Sequence, residues 1–234
     1  MIYITAYPLT QRINPMRKLL LTTATVAAAI AGAVAGEPSF GTITDTRDGK
    51  TYKTVKIGKQ AWMAENLNYP TVRGSWCYEN SADSCDKYGR LYTWNAAKAA
   101  CPAGYHLPYG EEWDSLAQTV GDKTEIYENG YIKWRGAGKN LKTKKGWNKY
   151  KSDNTNYNGN GTNAYGFSAL PGGSRLPSGY FITVGYIATW WMATESDNGN
   201  AYHQSVEHSN KDLSRGGLAD MGFGFSVRCV TDRP

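Results

Sequence analysis

The chain has 234 residues, 41% of them hydrophobic, with 26 basic against 20 acidic side chains and a formal net charge of +6. That length suits one domain with a real core. The basic excess is too mild to place the chain among nucleic-acid-binding domains.

Residues 1–35 read as a signal peptide. Met16-Arg17-Lys18 is a basic start, Leu19 to Ala31 is apolar, and Ala33-Val34-Ala35 has the small-residue form of a cleavage site. The apolar run is shorter than the roughly 20 residues that a bilayer span needs. Residues 1–15 precede the basic start and read as a misassigned translation start. No cysteine lies near the cleavage site, so a lipid anchor is not expected. The mature chain is then 36–234, a single domain with no stable membrane span. Loss of Arg12, Arg17 and Lys18, with no acid, lowers the net charge from +6 to +3.

Gly41 to Leu67 has the pattern of a β-meander, with turns at Asp48-Gly49 and Gly58-Lys59. Tyr52, Val55, Ile57, Trp62 and Met63 supply its apolar faces. A first short helix is predicted over Asn95 to Ala100, then a Pro-Gly turn and a brief strand at Tyr105-His106-Leu107. A second helix spans Glu111 to Val120. Its opening acids suit the positive end of the helix dipole, and Trp113, Leu116 and Ala117 fall on one face. Gly121 to Thr162 is polar and rich in Gly, Asn and Lys, a loop-rich surface excursion of the kind that often carries function. Strands are predicted at Tyr165 to Leu170, Thr189 to Thr194, Ala201 to His208 and, to close, Phe223 to Val230.

In an exported protein an even cysteine count implies disulfides, and four cysteines allow three pairings. The favoured set is Cys77–Cys85 as a local clip and Cys101–Cys229 as a long staple. Zinc is the rival reading, but no C-x₂-C pair occurs and the histidines are scattered.

The block YGRLYTWNAAKAACPAGYHLPYGEEW (Tyr88 to Trp113) and the closing GFGFSVRCV (Gly222 to Val230) together resemble the layout of C-type-lectin-like folds. The expected class is therefore α+β, with two short helices on small antiparallel sheets and a long, loop-rich excursion. Four segments resemble the Fibrobacter succinogenes major paralogous domain family. They are DTRDGKTYKTVKIGKQAWMAENLNY (Asp45 to Tyr69), the Tyr88 to Trp113 block, GFSALPGGSR (Gly166 to Arg175) with WWMATES (Trp190 to Ser196), and GFSVRCV (Gly224 to Val230). The resemblance covers 36–234 as one such domain. It implies a C-type-lectin-like or formylglycine-generating-enzyme-like fold in a bacterial protein that is secreted or held at the cell surface or outer envelope. It supplies no active site. The sugar-binding triplets of calcium-dependent lectins are absent here, and the cysteines that formylglycine-generating chemistry needs are assigned to disulfides.

No G-x-S-x-G elbow or phosphate loop is present, so no catalytic residue is expected. His203 and His208 are five apart on a predicted strand and face opposite sides, which argues against a shared metal. Asn154, Asn156, Asn158 and Gly159 imitate half of an EF-hand loop without its glutamate. Asn156 and Asn158, with Glu195 and Asp197, are weak calcium candidates, and no other cofactor is expected. Lys139, Lys142, Lys144, Lys145, Lys149 and Lys151 cluster, and read as a solvated basic loop. Trp134, Trp147, Tyr150 and Tyr157 lie in the excursion. Aromatic rings with polar handles suit sugar faces, so these four, with Glu195, Asp197, Asn198 and Tyr202, form the expected ligand-binding set. The expected function is a non-catalytic binding domain for polysaccharide or a cell-surface protein partner. The alternatives are a formylglycine-generating-type enzyme and a structural envelope protein.

Overall fold

The computed structural model describes residues 37–127, 131–152, 155–196 and 198–231. The signal-peptide reading and Asn154 and Asp197 lie outside the described residues. The described chain is mostly β, with a few short helices and two disulfides.

The expected meander forms. Strands β1 (Phe40–Thr44), β2 (Thr51–Ile57) and β3 (Gln60–Met63) pair antiparallel in order. Tyr52, Val55, Ile57, Trp62 and Met63 are all buried. A two-residue strand, β4 (Ser75–Trp76), leads to helix α1 (Ala82–Tyr88), then β5 (Leu91–Tyr92) and the one-turn helix α2 (Trp94–Ala97). Next come β6 (Tyr105–His106) and helix α3 (Gly110–Val120). Glu112 accepts the Tyr109 backbone N–H at 2.9 Å and meets His106 Nε2 at 2.8 Å, so one of the two opening acids caps the helix. Trp113, Leu116 and Ala117 enter the core as the spacing predicts.

The excursion is more ordered than its composition implies. It holds β7 (Lys123–Ile126), β8 (Ile132–Arg135), helix α4 (Ala137–Leu141), and the hairpin β9 (Tyr150–Ser152) and β10 (Thr155–Tyr157). A small hairpin follows, β11 (Ser174–Arg175) with β12 (Phe181–Ile182). Then come the long strands β13 (Ile187–Glu195), β14 (Asn200–Glu207) and β15 (Leu213–Asp220). Tyr165 to Leu170 is not a strand. Gly166 and Ser168 both take positive φ, 72° and 59°, which breaks an extended run; only Ala169 bridges, to Lys142.

The closing segment is also not one strand. It divides into β16 (Phe225–Ser226) and β17 (Val230–Thr231), which belong to different sheets. The large sheet has the order β4-β5-β16-β13-β14-β15-β8-β7, and the smaller one β1-β2-β3-β17-β6. Within the large sheet β13 runs parallel to β16, joined through Trp190 and Ser226. Cys229 bonds Cys101 with Cα atoms 5.9 Å apart, and Cys77 bonds Cys85 at 4.9 Å, the pairings expected.

Two cores lie on opposite faces of the large sheet, as adjacent Trp190 and Trp191 show: the first belongs to one cluster, the second to the other. In the first, Trp62, Trp113, Phe167 and Trp190 make a ring of contacts with centroids 4.9 to 6.0 Å apart. Against that ring lies Arg228, which is 1% exposed. Its guanidinium sits 4.3 Å from the Phe167 ring centroid, donates to Asn66 Oδ1 at 3.0 and 2.7 Å, and reaches the carbonyls of Met63 and Phe167. Trp190 Nε1 donates to the same Asn66 oxygen at 2.9 Å. Burial holds the Arg228 guanidinium well below its usual range, at about 9.

Candidate functional site

The second half of the excursion builds a groove of about 680 Å³. One wall is α4, which carries Lys139. A second is the turn after β14, which brings Lys211; Lys139 N–H donates to the Lys211 carbonyl at 2.8 Å and ties the two together. The third is β10 and the strip after it, with Asn156, Tyr157, Asn158, Asn160 and Thr162, and Lys149 completes the rim.

Backbone bonds hold the strip in place. Gly161 N–H donates to Thr143 O at 2.9 Å, Thr162 N–H to Lys139 O at 2.8 Å, and Asn163 N–H to Lys142 O at 3.0 Å. The approach is so close that a Cβ on Gly161 would sit 2.4 Å from the carbonyl oxygens of both Lys139 and Lys142. Asn160 ties in the flanks: its Oδ1 accepts the Trp147 N–H at 3.1 Å and its carbonyl accepts the Tyr157 hydroxyl at 3.1 Å.

Under the groove lies Lys142, fully buried. Its ammonium donates to the carbonyls of Glu207 and Asn210, each at 2.8 Å, and sits 5.0 Å from the centroids of both the Trp147 and Tyr157 rings. Burial lowers its pKa to about 8, against the smaller opposing pull of Asp212 and Glu207. Asp212 is itself occupied by Arg135 at 2.7 Å. Lys139, Lys149 and Lys211 are exposed, and among the described residues none of them has an ion-pair partner.

The expected binding set divides. Tyr157 lines the groove, and Tyr150 stands directly opposite it on the β9–β10 hairpin, half-buried against His208 at 5.5 Å. Trp134 and Trp147 are core residues, 2% and 5% exposed. The structure corrects the expectation that they face solvent. Trp134 lies in the large sheet, and Trp147 turns its indole N–H inward to Ala169 O at 3.1 Å. Neither offers a ring face to a ligand.

The expected joint face with the Glu195 to Tyr202 loop is not formed. That loop closes the β13–β14 hairpin at the Glu195–Ala201 pair, while the groove lies beyond the Ile187–Glu207 pair at the other end. Eight residues of strand, about 26 Å at roughly 3.3 Å each, separate the two ends. In that loop Asn198 Oδ1 takes hydrogen bonds from Ser196 and Asn200, and Tyr202 packs on the core. Among the described residues no three His, Cys, Asp or Glu side chains gather as a metal site. His203 and His208 have separate surroundings, Phe225 for the first and Tyr150 with Tyr186 for the second.

Sequence reasoning passed over Lys211, Asn160 and Thr162, and set Lys139 and Lys149 aside as part of a solvated basic loop. Three lysines of the basic run, Lys139, Lys142 and Lys149, line this site or lie beneath it, yet the run reads as solvated until α4 and the 158–162 strip fold it into walls.

The four segments that carry the family resemblance meet elsewhere. Asn66, Trp113, Phe167 with Trp190, and Arg228 come from one segment each and converge on the buried cluster. A sequence profile described as the Fibrobacter succinogenes major domain matches residues 55–231. The chain belongs to this family. No curated protein and no solved structure matches it. In this Fibrobacter succinogenes major domain the matched span also contains the groove residues, and the groove segment is tied to the core through the Lys142–Ala169 bridge.

Proposed function

We propose that the protein is an exported, non-catalytic binding domain of C-type-lectin-like architecture, acting outside the cell or at its surface, and that the groove between α4, β10 and the turn after β14 holds a polysaccharide. The groove carries this reading. Its amide and hydroxyl side chains, Asn156, Asn158, Asn160 and Thr162, can donate to and accept from sugar hydroxyls, and Tyr157 adds an aromatic wall. Ligand sites are usually concave, and the lining of this one is mainly polar, as hydroxyl-rich ligands require. The pairing of all four cysteines supports binding over formylglycine-generating chemistry, which needs a free thiol.

The test is retention of the purified protein on a panel of insoluble plant and bacterial polysaccharides, with and without EDTA. Retention that falls when Tyr157→Ala and Asn158→Ala are combined supports the groove. No retention on any polymer would sink the reading. Loss in EDTA alone would move the site toward a calcium-assisted one.

A further inference from the structure

We infer that the groove selects an acidic glycan, one whose repeating sugars carry carboxylate, sulfate or phosphate groups; this rests on the polysaccharide-binding reading and narrows it. The argument begins with where the charge lies. Residues 139–162 hold six lysines and one acid, Asp153. The rest of 36–234 holds 17 basic against 19 acidic residues, a net of −2. The excess positive charge of the folded domain is therefore concentrated in the segment that builds the groove.

The fold aims that charge inward. Lys139 on α4 and Lys211 on the facing turn are brought together by a backbone bond, and Lys149 stands on the rim. None of the three has a carboxylate partner among the described residues. Below them Lys142 is buried with carbonyls, not a carboxylate, as its direct partners. Two acids act on Lys142: Asp212 is engaged by Arg135, and the Glu207 carboxylate takes hydrogen bonds from Ser209 and Asn210. A concave wall with low-dielectric material behind it focuses a field of one sign and attracts an oppositely charged ligand.

The remaining lining favours a glycan among polyanions. Asn156, Asn158 and Asn160 offer both donors and acceptors to ring hydroxyls. Among the described lining residues Tyr157 is the one aromatic, whereas a single-strand nucleic-acid channel uses a succession of stacking rings.

The experiment measures retention on polygalacturonate, on its methyl-esterified form, on dextran sulfate and on single-stranded DNA, at low and at 0.5 M salt. The double variant Lys149→Glu with Lys211→Glu is compared with the native chain; both side chains are exposed, so the melting temperature should hold. Expected is retention on polygalacturonate or dextran sulfate that falls at least about tenfold in the variant and is lost at high salt, with much weaker retention on the methyl ester. Which of the two acidic polymers is preferred tells carboxylate from sulfate recognition. Equal retention on the ester and the free acid would overturn the charge inference and leave the polysaccharide reading standing. Acidic-polymer retention that the variant does not change would place the site elsewhere and overturn it too. Stronger retention on DNA than on either acidic polysaccharide would overturn the glycan class. Retention on no polysaccharide would remove both readings at once.

Discussion

At the scale of single residues, the aromatic and the charged side chains exchanged their expected places. Trp147 lies in a polar run, yet its ring roofs Lys142 and its indole N–H bonds inward. Trp147→Ala should therefore cost about 3–5 kcal/mol of stability, as large core truncations do. A thermal melt checks this, and any loss of ligand retention would follow the unfolding. Arg228 is the converse case. An arginine in a closing strand reads as a surface residue, because nothing local shows that Asn66 waits 162 positions away to receive it. Arg228→Lys cannot reproduce the fork that reaches Asn66, Met63 and Phe167 together, and should lose roughly 3 kcal/mol in urea unfolding. His203 gives the pH dependence. Burial lowers its pKa from 6.5 to about 4. As pH falls from about 6.5 to 4, the unfolded chain takes up a proton that the folded one refuses, so stability is lost across that window, by up to about 3 kcal/mol. A urea midpoint that falls over this range in the native chain, and falls less in His203→Gln, is the expected result.

At the scale of elements, the meander, α3 and the β13–β14 pair were legible because their apolar spacing is regular and their turns carry Asp-Gly or Gly signals. The failures came where an element owes its form to a distant partner. Phe223 to Val230 has one continuous strand pattern, but it leaves the large sheet after Ser226 and joins the small one at Val230. β7, β8 and α4 are four or five residues each, too short to show a period. β15 pairs along β14 with a register shift between Tyr202 and Gln204, opposite Gly216 and Gly217, and no sequence pattern announced it. The groove was illegible for the same reason. Its residue types were visible, but their meeting depends on the strip at Gly161 lying against the end of α4. Gly161→Ala should displace that strip and cost about 1–3 kcal/mol. It should also raise proteolytic nicking between 148 and 162 before the rest of the domain is attacked, which limited digestion would show.

At the scale of the whole molecule, the cysteine pairing could be read in advance because the even count leaves few choices. Sheet order could not, since β5, β16 and β13 are neighbours in space and far apart in the chain. The Cys101–Cys229 bond spans 128 residues and joins the end of the first helical block to the last strands. Replacing both cysteines with serine should lower stability by about 2–5 kcal/mol in the oxidised protein, measured by denaturant unfolding. Under reducing conditions the native chain should fall at least as far, because the Cys77–Cys85 bond opens as well.

That long bond also makes the order of pairing matter. When Cys101 emerges, the sulfurs available to it are those of Cys77 and Cys85, while its proper partner is still 128 residues from being made. Closing the short clip between Cys77 and Cys85 first would take both of the wrong suitors out of reach. A chain carrying Cys77→Ser alone would leave Cys85 unattached, and should accumulate a Cys85–Cys101 cross-link that holds the first half of the domain shut against the arrival of the second.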